Sequence, residues 1–167
     1  MNKHMALSLS VGVVGGIAVF LSGNVLSDVY LLWVGFIAWA LFFANGGDND
    51  ALKSTITSGI YGAVLAGVFF ALSGAINIGG ALNGPIWIAI TVFVLMFGTQ
   101  IDMFDNAPTA VCGYAACAGY VIHAPSAQAG MVTAASLGNP VVTIALSVIL
   151  GAVFGMISGK VADAIGS

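Results

Sequence analysis

The chain has 167 residues, is 60% hydrophobic and only 5% charged, and has a mean hydropathy of +1.10. A soluble domain carries about 25% charged residues, so a water-soluble fold is excluded and the bilayer is the expected solvent. Three Lys, no Arg, six Asp and no Glu, for a net charge of −3, exclude a nucleic-acid surface and an acidic tail.

A transmembrane helix needs roughly 20 apolar residues. The first such run covers 7–22 and carries Gly12, Gly15 and Gly16, the small residues that let membrane helices approach closely. No small-x-small cleavage site follows it, so it reads as a retained span and not a signal peptide. Ser22-Gly23-Asn24 breaks the run and Asp28 is the expected cap of the second span, 29–45. That span holds Trp39, with Tyr30 and Trp33 placed as interface anchors.

Asn45-Gly46-Gly47-Asp48-Asn49-Asp50 is the sharpest turn in the chain, with glycines for unusual dihedrals and acids to cap the next helix. The third span, 51–72, has Gly59, Gly62 and Gly67 with Ala63 and Ala66, which leave one side nearly bare. A Gly-rich segment, 73–84, leads to Pro85 and the fourth span, 86–102, which ends through Thr99, Gln100 and Asp102.

Asp105-Asn106-Ala107-Pro108-Thr109 is a helix start, with Asp105 or Asn106 as cap and Pro108 in the first turn. The fifth span, 107–123, contains Gly113, and His123-Ala124-Pro125 closes it. Residues 126–138 are Ala-rich enough for a short surface or re-entrant helix. Asn139-Pro140 opens the sixth span, 140–160, whose Gly151, Gly155 and Gly159 recur every four residues.

The expected fold is thus an all-α polytopic membrane protein of six transmembrane helices in one domain. Lys3, Lys53 and Lys160 then fall on one side, which the positive-inside tendency makes cytoplasmic, with both termini. Asp28 and His123 face the other side.

Trp33 and Trp87 are 54 residues apart, and the same offset pairs Phe43 with Phe97, Gly59 with Gly113 and Ala63 with Cys117. The echo suggests a parallel repeat of two helical hairpins, with the third and fifth helices side by side or in equivalent positions.

Two polar turns are candidates for handling a solute. Asn45, Asp48 and Asp50, with Gln100, Asp102, Asp105, Asn106 and Thr109, would form a vestibule. Helix N-termini there favour anions and the carboxylates favour cations, a balance that suits a neutral, hydrogen-bonding solute. As caps and loop residues the same side chains need no solute. Gln100 lies near a helix end, where it reaches the interface. His4 and His123 read as interfacial.

Cys112 and Cys117, five apart on a helix, do not share a face, so neither a disulfide nor a metal pair is expected. There is no paired-His motif, no P-loop and no nucleophile elbow. The expectation is no enzyme and no cofactor, with the lipid bilayer, a small solute and further copies of the chain as partners. The glycine faces Gly12, Gly16, Gly59, Gly62, Gly67, Gly113, Gly151, Gly155 and Gly159 are the expected packing surfaces, within or between protomers.

Several segments carry a resemblance. They are Trp33-Val34-Gly35-Phe36 running to Phe43-Ala44, the turn Gly46-Gly47, the run Pro108-Thr109-Ala110-Val111-Cys112-Gly113-Tyr114-Ala115-Ala116-Cys117-Ala118-Gly119, and the close Leu150–Gly155. The chain resembles the YcdZ-like family of small bacterial inner-membrane proteins, a domain of unknown function. The resemblance implies a bacterial inner-membrane location and implies no activity or site residues. The expected function is a channel or permease for a small polar, neutral solute. The competing expectation is a non-transporting scaffold or accessory subunit.

Overall fold

The computed structural model describes residues 1–124 and 129–166. The start of the 126–138 connector and Pro125 therefore lie outside the described residues. Among the described residues there are six α-helices: α1 (Lys3–Asn24), α2 (Leu32–Ala44), α3 (Asn49–Ala75), α4 (Asn83–Gly98), α5 (Ala107–His123) and α6 (Pro140–Ile165). Short 3-10 turns cover Gly80–Leu82, Asp102–Phe104 and Ala129–Thr133. No strand occurs among the described residues. The short surface or re-entrant helix expected after α5 is, where described, the 3-10 turn Ala129–Thr133.

Among the described residues, four segments are long and apolar enough to cross a membrane: α1, α3, α6 and the run Gly80–Gly98 that contains α4. The other two helices are shorter: α5 covers the expected 107–123, whereas α2 falls short of the expected 29–45. At 1.5 Å per residue, the 13 residues of α2 reach only about 20 Å and the 17 of α5 about 26 Å, against a hydrocarbon core of about 30 Å.

The helix starts follow capping chemistry. Asn2 accepts from the Met5 N–H at 3.0 Å, Asp48 from Ala51 at 2.8 Å, Asn106 from Thr109 at 3.0 Å and Asn139 from Val141 at 2.9 Å. Asn106, not Asp105, caps α5. Helix α2 departs from the expectation. Asp28 does not cap it, because Val29 and Tyr30 are held in a turn by N–H bonds to the Leu26 carbonyl. The helix begins only after Leu31, whose N–H donates to the Ser147 hydroxyl of α6 at 2.9 Å. Tyr30, expected at the interface, is buried with Val14, Ala18, Trp39 and Phe154.

The chain forms two compact units, residues 1–56 with 146–167, and residues 57–145. In the first, α2 and α6 run parallel. Leu31 meets Ser147, Gly35 meets Gly151, and Trp39 and Phe42 meet Gly155. A Cβ built on Gly151 would overlap the Gly35 backbone, 2.6 Å from its Cα, so the two backbones touch. Helix α1 runs antiparallel to α6: Ser10 Oγ donates to the Ser158 carbonyl at 2.7 Å, and Ala6 lies beside Gly166.

In the second unit, α3 and α5 run parallel and α4 antiparallel to α3. Thr57 Oγ1 donates to the Met103 carbonyl at 2.6 Å, and Tyr61 stacks on Phe104 at 4.5 Å. Further along, Gly62 rests on the backbone of Ala110 and Tyr114, and Gly113 rests on that of Gly59. Helix α4 joins through Tyr61 to Val94 at 2.8 Å, Trp87 Nε1 to Ile76 at 3.0 Å and a Thr91–Tyr114 hydroxyl bond at 2.9 Å. The expectation that the third and fifth helices lie side by side holds within this unit.

Glycines without neighbours contrast with these. A Cβ on Gly12 or Gly16 meets nothing within 4 Å. Gly62→Ala, Gly113→Ala and Gly151→Ala should therefore each lower stability by about 1–3 kcal/mol, the cost of overpacking. Gly12→Ala and Gly16→Ala should be neutral or stabilising by about 0.5–1 kcal/mol through helix propensity. Thermal unfolding of the detergent-solubilised variants measures both.

Candidate functional site

The first unit ends in a polar cavity. The C-terminus of α2 arrives there, and Gly46 and Gly47, at φ +118° and +73°, turn the chain toward α3 in a backbone region that favours glycine. Their N–H groups close the last turn of α2, Gly46 onto Phe43 at 3.1 Å and Gly47 onto Phe42 at 3.0 Å. They therefore present bare backbone and no side chain. The start of α1 brings Lys3 and Leu7, and the end of α6 brings Gly159, Ala162, Asp163 and Gly166. These residues and Phe43 enclose about 430 Å³. The cavity is flanked by one cation and one anion, with Phe43 and Leu7 as its apolar wall.

The expected vestibule residues divide between the units. Asn45, Asp48 and Asp50 belong to the first, and Gln100, Asp102, Asp105, Asn106 and Thr109 to the second. Asn45 donates to Thr55 Oγ1 at 2.9 Å, which ties the turn to the first turns of α3. Asp48 is occupied as the α3 cap, and Asp50 is exposed in the first turn of that helix. In the second unit, Asn106 caps α5, Thr109 is buried, and Gln100, Asp102 and Asp105 are exposed. Asp48 and Asn106 thus act first on the backbone. Of the acids near the cavity, Asp163 is the one that lines it, although the sequence pattern did not single it out. The signal was the grouping of both chain ends with the Gly-Gly turn on one side.

Interior hydroxyls form a further polar set, of which the expected vestibule held only Thr109. Ser10, Thr55, Ser147 and Ser158 are buried in the first unit, and Ser58, Thr91, Thr109 and Thr143 in the second. Ser158 Oγ accepts from Trp39 Nε1 at 3.1 Å and donates to the Gly155 carbonyl at 2.8 Å, linking α2 to α6. Among the described residues, the buried hydroxyls of Tyr30 and Ser58 have no hydrogen-bond partner. Isolated Ser and Thr are common in any sequence, so only their three-dimensional grouping reveals them.

The expected packing glycines fall into two groups. Gly59, Gly62, Gly113, Gly151 and Gly155 are consumed inside their units, Gly67 faces Val141, and Gly159 stands 3.7 Å from Phe43. Gly12 and Gly16 remain open. Cys112 and Cys117 are both free thiols, and no cluster of metal-ligating side chains occurs among the described residues.

The sequence over residues 8–163 matches a family model described as a protein of unknown function (DUF1097). The chain belongs to this family. Comparison with curated proteins and with solved structures returns no match. The DUF1097 match runs from within α1 to near the end of α6, so most of both units and of the cavity lining lies within the family's extent, with Lys3, Leu7 and Gly166 outside it.

Ser158→Ala removes the acceptor of a buried indole N–H and should cost about 1–3 kcal/mol. Chemical unfolding followed by tryptophan fluorescence reads that loss. Asp48→Ala and Asn106→Ala, as cap losses, should cost about 1 kcal/mol each in the same assay.

Proposed function

We propose that this DUF1097 protein is an integral inner-membrane channel or permease for a small polar, neutral solute. The observation that carries the reading is the 430 Å³ cavity between Lys3 and Asp163. One positive and one negative group at a chamber of that size favour neither ion and offer hydrogen bonds to a neutral solute. Asn45 and the exposed Asp50, in the same unit, would extend the polar approach. All six helices cross the bilayer in this reading, α2 and α5 shielded by their neighbours. The YcdZ-like resemblance and the lysine distribution support a bacterial inner membrane with both termini cytoplasmic.

A second reading has one observation of its own. Gly12 and Gly16 lie open on a face of α1 whose Leu9, Val13, Ile17 and Phe20 are exposed. Such a face favours a scaffold or accessory subunit, or a homo-oligomer, packed through α1.

Proteoliposomes challenged with a neutral osmolyte such as glycerol or urea separate the two. Transport predicts solute-driven swelling faster than in protein-free vesicles. Gly159→Leu, which fills the cavity, should reduce it several-fold without altering thermal stability. Swelling no faster than in empty vesicles, for every neutral solute tried, rejects transport. Gly16→Leu should leave flux intact in the first reading and dissociate the assembly in the second.

A further inference from the structure

The division of the chain into units has a pattern that the 54-residue echo does not explain. The first unit is built from α1, α2 and most of α6, and the second from α4, α5 and most of α3. Each has a parallel pair joined by glycine backbones, α2 with α6 and α5 with α3. Each has an antiparallel third helix, α1 or α4. The helices correspond in chain order as α1 to α4, α2 to α5 and α3 to α6.

The sequence agrees residue by residue. Ser58-Gly59-Ile60-Tyr61-Gly62-Ala63-Val64-Leu65 in α3 aligns with Ser147-Val148-Ile149-Leu150-Gly151-Ala152-Val153-Phe154 in α6. Ser, Ile, Gly, Ala and Val are shared at an offset of 89, set by Ser58 and Ser147. Gly35-Phe36-Ile37-Ala38-Trp39-Ala40-Leu41-Phe42 in α2 aligns with Gly113-Tyr114-Ala115-Ala116-Cys117-Ala118-Gly119-Tyr120 in α5, each glycine followed by an aromatic.

Burial follows the same registers. Positions 58, 59, 62, 63, 65 and 66 are buried, as are 147, 148, 151, 152, 154 and 155. Gly35, Ala38 and Trp39 are buried, as are Gly113, Ala116 and Cys117. In α1 the buried Ala6, Ser10 and Val14 match the buried Trp87, Thr91 and Leu95 of α4, and the three residues after each of 6 and 10 are exposed or half-buried in both. The contacts correspond too: Gly151 rests on the Gly35 backbone, and its counterpart Gly62 rests on the backbone flanking Gly113. The 54-residue offset instead pairs an exposed Trp33 with a buried Trp87, and pairs Gly59 with the Gly113 that packs against it.

The cavities complete the correspondence. The second unit has its own chamber of about 430 Å³, lined by Phe70, Ala71, Gly74 and Ala75 at the end of α3 and by residues 129–133 after α5. The offset of 89 carries Phe70 and Gly74 onto Gly159 and Asp163, which line the first chamber together with the turn after α2. Each chamber thus sits where the third helix of one copy ends beside the connector that follows the second helix of the other.

We propose that residues 3–75 and 83–165 are two copies of one three-helix repeat that exchange their third helices between the units. Three spans per copy give the copies opposite senses across the bilayer, the inverted plan common among transporters. The two chambers are counterparts, one in each unit. The first carries Lys3 and Asp163 at its mouth, and the second is lined by apolar residues, glycines and Thr133, so the copies have diverged in charge while keeping the chamber. This inference is independent of the transport reading, since a scaffold could be built the same way.

The test uses the full chain with Cys112→Ala and Cys117→Ala, single cysteines and a membrane-impermeant maleimide applied to spheroplasts and to inverted vesicles. Asp163→Cys and Gly74→Cys report the chambers, and a Cβ on Gly74 meets nothing within 4 Å. Asp28→Cys and Asp105→Cys report the counterpart connectors and keep the test decisive if a chamber variant does not fold. Asp163→Cys and Asp105→Cys should label from one side, Gly74→Cys and Asp28→Cys from the other. Labelling of Asp163→Cys and Gly74→Cys from the same side, or of Asp28→Cys and Asp105→Cys from the same side, overturns the inverted plan. A permeant maleimide scanned over 58–69 and 147–158 should give reactivity profiles that superimpose at an offset of 89, and superposition at any other offset overturns the repeat.

Discussion

Backbone-to-backbone contact between parallel helices is the constraint on which the structure depends. In lipid the hydrophobic effect does not press helices together, because a neighbouring acyl chain is as apolar as a leucine. Cohesion then comes from dispersion and hydrogen bonding, and both need close approach. Gly151 on Gly35 and Gly62 on the α5 backbone supply that approach in the two units. A methyl group at any of these places separates the pair, and every side-chain contact arranged around the crossing is set by the separation.

Hydroxyl groups work at the same crossings. Ser147 takes the Leu31 N–H that has no partner within α2, and Ser158 takes the indole of Trp39. Such bonds satisfy groups that lipid cannot, and they specify register where apolar surfaces alone would allow sliding. Glycine fixes how near the helices come, and the hydroxyl one turn away fixes where along their length they meet.

Much of this was legible in the sequence. The apolar runs give six helices near their observed positions, and Asp48, Asn106 and Asn139 mark helix starts because a capping side chain is a local requirement. The glycine faces of α3 and α6 are visible as periodic small residues. What they pack against is not, since spacing within a helix says nothing of its partner. Tyr30 was misplaced because an aromatic near a helix start serves either an interface or a core, and only the tertiary neighbourhood decides. Helix α2 was drawn too long because hydropathy does not register the Leu26 turn. The polar chamber escaped notice because Lys3, Gly46, Gly47 and Asp163 are far apart in the chain and each has an ordinary local role.

The brevity of α2 has a consequence for the surrounding lipid. Hydrophobic thickness is matched to protein length at a cost of a fraction of a kcal/mol per Å, and a helix cannot tilt its way out of being too short. Were α2 to cross the bilayer, as in the proposed six-span arrangement, about 20 Å of helix would face about 30 Å of hydrocarbon, with the shortfall at its two ends, the Leu26–Leu31 turn and the Gly46-Gly47 turn. Protein covers part of it through α1 and α6. The rest would be met by lipids that thin and curve around the turns, so a six-span arrangement implies a dimpled membrane beside this helix and a local preference for short-chain lipids.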